Sequence, residues 1–162
     1  MKLSQINDRA LRLLGTFCMS RPVAAIGATT SAITTTSAII SVIDGIIRNV
    51  AALTNQALVS GAEAFRVQPA NTTIYYVMAV NAAGTVRTFQ GRFNGEQFTN
   101  PTGMNLVGDG TVPDVPDEWC PFALLRIATG ATTFTPGTTA LNAANVTTTI
   151  FDVAYLPAVD RP

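Results

Sequence analysis

The stretch that most limits what this chain can become is Ile74-Tyr75-Tyr76-Val77-Met78-Ala79-Val80, followed by Asn81-Ala82-Ala83-Gly84 and then Thr85-Val86-Arg87-Thr88-Phe89-Gln90. The first run is rich in β-formers, and a four-residue connection ending in glycine supplies the positive φ that a type I turn with a bulge requires, so the segment predicts a β-hairpin. Ile74, Tyr76, Met78 and Val80 share one face, yet Tyr75, Val77 and Ala79 on the other are also apolar. A strand of that kind is covered on both sides. Burying four such side chains contributes roughly 1.5 to 3 kcal/mol each, enough to seed a core. Tyr75, Tyr76, Met78 and Phe89 are therefore candidates for the core or for a subunit interface.

Other segments carry the same signature. Ser37 to Ile43, then Asp44-Gly45, then Ile46 to Val50 is the pattern of a hairpin closed by a two-residue type I′ turn. Ile43, Ile47, Val50 and Leu58 approximate helical spacing, but Asp-Gly in mid-helix is unfavourable, so the strand reading is preferred. Gln68-Pro69-Ala70-Asn71 reads as a turn. Phe122 to Ala128 reads as a buried strand, Thr132 to Thr138 as a strand end entering a Pro136-Gly137 turn, and Asn145 to Tyr155 as an alternating closing strand. Between Gln90 and Glu118 the chain is rich in Gly, Pro, Asn and Asp, the mark of a long loop, with a small hairpin at Arg92 to Phe98. The expected fold is mainly β, a β-sandwich or jelly-roll-like barrel over residues 29–162.

Ahead of it, residues 1–28 read as a separate N-terminal helix and arm. Ser4 is a suitable N-cap, Asp8 comes early, Arg9 and Arg12 come late, and Gly15 stops the helix. Ile6, Ala10, Leu13 and Leu14 fall on one stripe with Leu3 just outside the cap, and a helix this short must dock on something. Thr16 to Ala28 shows no sustained period and reads as an extended arm or, equally, as a linker covering the domain's own edge. Its anchors would be Phe17 and Met19.

Composition removes several functions. Histidine is absent, which takes away the commonest general base and the commonest neutral metal ligand. No Gly-x-Ser-x-Gly elbow and no phosphate-cradling glycine loop followed by Lys occurs. Asp109, Asp114, Asp117 and Glu118 match no calcium-loop spacing and read as turn-capping acids, while Asp109 or Glu118 against Asp152 is too weak a pairing to argue glycosidase chemistry. An enzyme, a cofactor and a metal are all unexpected. The net charge is zero, with no basic run, so neither nucleic acid nor an anionic membrane is an expected partner. Pro22 to Ile43 carries no charge, but eight of its residues are Ser or Thr, too polar for a transmembrane helix. No signal-peptide h-region is evident. Cys18 and Cys120, far apart in the chain and each among apolar residues, read as two reduced buried thiols of a protein made in the cytosol. Only 12% of residues are charged against 48% hydrophobic, about half the usual charged share, which points to surface hidden in an assembly.

The succession Tyr75 to Val86, then Val112-Pro113-Asp114-Val115-Pro116, then Phe122 to Ala128 and Phe134-Thr135-Pro136-Gly137-Thr138-Thr139 resembles structural proteins of tailed bacteriophages, the small β-domain proteins that decorate capsids or form head and tail fibres. The resemblance runs from about Ser37 to Pro157. It implies a homotrimeric decoration, or cement, protein on the capsid surface of a virion, made in the host cytoplasm and partnered by the major capsid protein. Leu3, Ile6, Leu13, Leu14, Phe17 and Met19 would then be the capsid-contact arm. The alternative it leaves open is a receptor- or glycan-binding tail-fibre tip, with the 92–118 loop as binding surface and Trp119, Phe93 or Phe98 as stacking platforms. No catalytic residues are implied.

Overall fold

The computed structural model describes residues 15–61, 64–92 and 112–153. The predicted N-terminal helix, with Leu3, Ile6, Leu13 and Leu14, lies outside the described residues, as does most of the 92–118 loop. Among the described residues there are ten strands and no helix. They are β1 (Phe17–Cys18), β2 (Ala24–Ile26), β3 (Ala32–Thr35), β4 (Ile39–Ile43), β5 (Ile46–Val50), β6 (Gln56–Ala57), β7 (Thr73–Asn81), β8 (Val86–Gln90), β9 (Trp119–Thr129) and β10 (Val146–Asp152). Three antiparallel sheets result, ordered β10-β9-β7-β8, β1-β4-β5 and β2-β3-β6. The protein is mainly β.

The β7–β8 hairpin forms where the sequence places it, with Val80 opposite Val86 and Tyr76 opposite Gln90. Gly84 takes φ 81°, and the Asn81 side chain accepts from the amides of Ala83 and Thr85 to brace the turn. From Tyr76 to Val80 every β7 residue is buried, so this strand is covered on both faces as its two-sided apolarity requires. The β4–β5 hairpin also forms. Asp44 at φ 52° and Gly45 at φ 74° are the two left-handed positions of a type I′ turn, which leaves no helix over residues 41–59.

β9 is longer than expected. It starts at Trp119 and runs through Pro121, a residue that a central strand tolerates only at an irregularity. The pairing with β7 supplies one: Met78 faces Ala123, the next residue Ala79 faces Pro121, and Phe122 is left over as a bulge. The Phe122 carbonyl is taken instead by the Val153 amide at 2.9 Å.

Of the two readings of residues 16–28, the pairing favours the linker along the domain's own edge over the extended arm. Phe17 and Cys18 pair with Val42 and Ser41 of β4, and Ala24 to Ile26 pair with Thr35 to Ile33 of β3. Residues 17–26 are therefore stitched into two sheets of the β-domain. The physical reason is that chain ends next to open sheet edges gain backbone hydrogen bonds by pairing, even when they are too short to show a period. The Asp152 carboxylate adds a clasp from β10, accepting from the Ala24 amide at 2.8 Å and from Arg21 Nε at 3.2 Å.

A single core joins the three sheets: Cys18, Ile39 and Ile43 from one, Ile33 from another, and Ile74, Tyr76, Met78, Val80, Phe122, Leu125 and Ile127 from the largest. Phe134 and Leu141, from the β9–β10 connection, close it. In β10, Val146, Thr148 and Ile150 turn inward while Thr147, Thr149 and Phe151 face out, so the predicted alternation is realised.

Candidate functional site

Pairing registers decide which side chains share a face. Across the β1-β4-β5 sheet, Cys18, Ser41 and Arg48 form one row and Phe17, Val42 and Ile47 the next, pointing to the opposite side. The first row faces the core, since Cys18 and Ser41 are sealed from solvent. The second therefore lies on the outer face, where Ile40 joins it two residues along β4. Met19 follows β1 directly, its amide held by the Ile40 carbonyl at 2.8 Å, and its side chain is 44% exposed.

That outer face is unusual in composition. A sheet with one wet side ordinarily presents polar residues there. Here Val42 is itself buried and Phe17 and Ile40 are half-buried, while Ile47 is 65% exposed, with Asn49 at one side. Ile46 beside it is 52% exposed at the hairpin tip. β5 has no partner on its far side among the described strands, so the apolar row ends at an open edge. Val23 stands on the segment between β1 and β2 and is also exposed, at φ 52°. Left-handed φ is a genuine outlier for a β-branched residue.

The interface candidates read from the sequence divide. Tyr76 and Met78 are fully buried and belong to the core. Tyr76 sits edge-on between Phe65 and Phe134, and burial pushes its phenol well above the usual tyrosine range. Tyr75, on the opposite side of β7, is half-buried, as is Phe89 on β8. Of the arm candidates within the described residues, Phe17 and Met19 fall on the apolar outer face. Sequence reasoning missed Ile46 and Ile47 as exposed residues; the Asp44-Gly45 turn, which places both at the tip of β5, was the signal that could have assigned them.

A second feature is a cleft of about 540 Å³ beside β8, lined by Ser60, Phe65, Arg66, Arg87, Gln90 and Asp114 among others. The Arg87 guanidinium lies 4.6 Å from the Trp119 ring centroid and packs close to Gly61, where a Cβ would approach it to 3.3 Å. Trp119 itself is 6% exposed, edge-on to Phe89, and so serves as an anchor beneath the cleft. Phe93 and Phe98 lie outside the described residues.

Among the described residues no group of three or more Cys, Asp or Glu side chains could hold a metal ion. Asp152 is occupied as the clasp on β2, and Glu118 is exposed on a turn. No helix among the described residues is long and apolar enough to cross a membrane. Comparison with family models, curated proteins and solved structures gives no match for this chain.

Proposed function

We propose that the chain is a structural virion protein, a homotrimer that binds the outside of a phage capsid and stabilises the shell. Its architecture would be a β-sandwich or jelly-roll-like barrel carrying a short N-terminal helix. The observation that carries this reading is the outer face of the β1-β4-β5 sheet, where Met19 and Ile47 stand exposed beside half-buried Phe17 and Ile40, a surface more suited to a protein neighbour than to water. The low charged fraction of the whole chain supports it, and so does the resemblance of residues 37–157 to phage structural proteins. A trimer touching several capsid subunits through weak apolar contacts gains affinity through multivalency, so no single contact needs to be strong.

The test is addition of purified protein to capsids that lack it, with sedimentation of the free protein alongside. Wild type should sediment as a trimer and coat the particles. Ile47→Lys should lose both properties while keeping its melting temperature. Deletion of residues 1–14, which spares the paired strands β1 and β2, should keep the trimer and lose capsid addition. A wild-type protein that is monomeric at high concentration and indifferent to particles would overturn the proposal.

The cleft at Arg66, Arg87 and Gln90 favours a second reading, a receptor- or glycan-binding tip of a tail fibre. Copy number separates the two. A decoration protein covers the shell in many copies, whereas a fibre tip is present in few.

A further inference from the structure

The core-facing row of the β1-β4-β5 sheet brings together the two cysteines that the sequence holds far apart. Thr16 Oγ1 donates to the Asp117 carbonyl at 2.5 Å, tying the entry of β1 to the entry of β9. Two residues further along one strand is Cys18; three further along the other is Cys120. β1 and β9 pack against each other, and both thiols belong to the same buried cluster, 2% and 0% exposed. Both are free thiols. Around them, Cys18 Sγ donates to the Ser20 carbonyl at 3.2 Å. The Ser41 hydroxyl, paired in register with Cys18, makes no hydrogen bond of ordinary length and faces the Cys120 thiol.

We propose that Cys18 and Cys120 are a latent crosslink, converted by hydrogen peroxide into an intramolecular disulfide that fastens β1 to β9. Cys18 is the attacking sulfur. Its contact with Cys120, helped by the Ser20 hydroxyl and opposed by burial, holds its pKa down to about 7, while the same contact and burial push Cys120 up. In the first step the Cys18 thiolate attacks one peroxide oxygen; the S–O bond forms, the O–O bond breaks, and the departing hydroxide takes a proton to become water. In the second, Cys120 gives up its proton and its sulfur attacks Cys18; the S–S bond forms, the S–O bond breaks, and a second water leaves. Two thiols and one peroxide thus give one disulfide and two waters. Peroxide is small enough to enter when the two-residue strand β1 opens locally. This inference is independent of the proposed assembly role.

The full-length protein is treated with peroxide, denatured, alkylated and analysed by intact mass and peptide mapping. Expected are a loss of two hydrogens, a peptide joining Cys18 to Cys120 within one chain, reversal by dithiothreitol, and a melting temperature raised by roughly 5–15 °C from closing so long a loop. With Cys120→Ser, oxidation should stop at a Cys18 sulfenic acid trapped by dimedone; should that variant not fold, the wild-type peptide map decides alone. Three results would overturn the proposal: oxygen accumulating on Cys18 while Cys120 stays alkylatable, a disulfide between chains, or two unreacted thiols after exposed Met19 has become the sulfoxide.

Discussion

The Tyr76 phenol donates to Gln68 Oε1 at 3.2 Å, and neither side chain has any contact with solvent. Gln68 spends its amide on the carbonyls of Ile127 at 2.9 Å and Thr72 at 3.1 Å, so it joins β7 and β9 to the turn before them. Gln90 Nε2 donates to the phenol from the other side at 3.3 Å, and is itself paired with the Arg66 backbone through both its oxygen and its nitrogen. Tyr76→Phe should therefore cost about 1–3 kcal/mol, because it strands a buried acceptor rather than merely deleting one bond. Gln68→Leu should cost at least as much, since it removes the acceptor of the buried phenol together with the amide bonds to the Ile127 and Thr72 carbonyls, of which Thr72 keeps its bonds from Thr129. Urea midpoints of the two single variants and the double variant measure this, and a coupling of about 0.5–3 kcal/mol is expected between them. Strictly additive losses would show that the bond carries no weight.

The same tyrosine sets an alkaline limit. Its phenol is held above the ordinary range by burial, with the Gln90 hydrogen bond acting the other way. A folded-state pKa raised above the unfolded value means that the unfolded chain releases its proton first. Stability from this group is thus complete below about pH 10 and declines above it, at up to about 1.4 kcal/mol per pH unit. Tyr76→Phe should flatten that decline relative to wild type in denaturation curves taken from pH 8 to 11, although it is the weaker protein at pH 7.

Turn chemistry was legible in the sequence because it is local. Asp44-Gly45 and Pro136-Gly137 each declare their backbone angles, and the structure adopts them, with Gly45 at φ 74° and Gly137 at φ 77°. β1 and β2 were not legible. Strands of two and three residues have no period, and what stabilises them is the presence of open edges on β4 and β3, supplied by residues some ten to twenty-five positions away in the chain. Pro121 hid the start of β9 for a related reason: a proline argues against a central strand unless a bulge absorbs it, and the bulge is visible only in the register with β7. The meeting of Cys18 with Cys120 depends on that same packing of β1 against β9, so no spacing rule could have announced it. The apolar outer face was half legible, through Phe17 and Met19, which stood out as apolar side chains in a segment with no period of its own.

Gly137 offers a sharp local test. A Cβ at this position would need a left-handed backbone and would stand 3.0 Å from the Leu58 carbonyl oxygen. Gly137→Ala should destabilise by about 1–2 kcal/mol despite alanine's lower unfolded-state entropy. Thermal denaturation checks it, with Gly15→Ala as the comparison: Gly15 shares the left-handed φ but has nothing within 4 Å, so it should cost less.

The Asp152 clasp separates a backbone contribution from an ion-pair contribution. Arg21 is 77% exposed along its side chain, so its bond to Asp152 is screened by water and Arg21→Ala should cost no more than about 0.5 kcal/mol. Asp152→Ala should cost about 1–2 kcal/mol, because it also removes the acceptor of the half-buried Ala24 amide. Hydrogen exchange at Ala24 should quicken in the second variant and hardly change in the first. Equal losses would mean that the charge pair, not the amide, holds β2 in place.

Val23 joins backbone strain to surface apolarity, and the two make opposite demands that one substitution can separate. Holding a β-branched residue at φ 52° costs on the order of 1–2 kcal/mol, yet the side chain is 46% exposed and recovers little of that by burial within its own chain. Its backbone is fixed from outside: the Pro22 and Val23 carbonyls both accept from the Thr36 amide, at 3.1 and 3.4 Å. Val23→Gly removes the strain at the price of a more flexible unfolded chain, so the isolated subunit should become more stable by about 0.5–1 kcal/mol. If the proposed trimer forms and the strained valine is retained for contact within it, the same variant should associate more weakly, and its sedimentation should shift toward the monomer at concentrations where wild type sediments as a trimer. Higher stability with unchanged association would detach Val23 from the proposed interface and leave its conformation as strain imposed by the chain's path between β1 and β2.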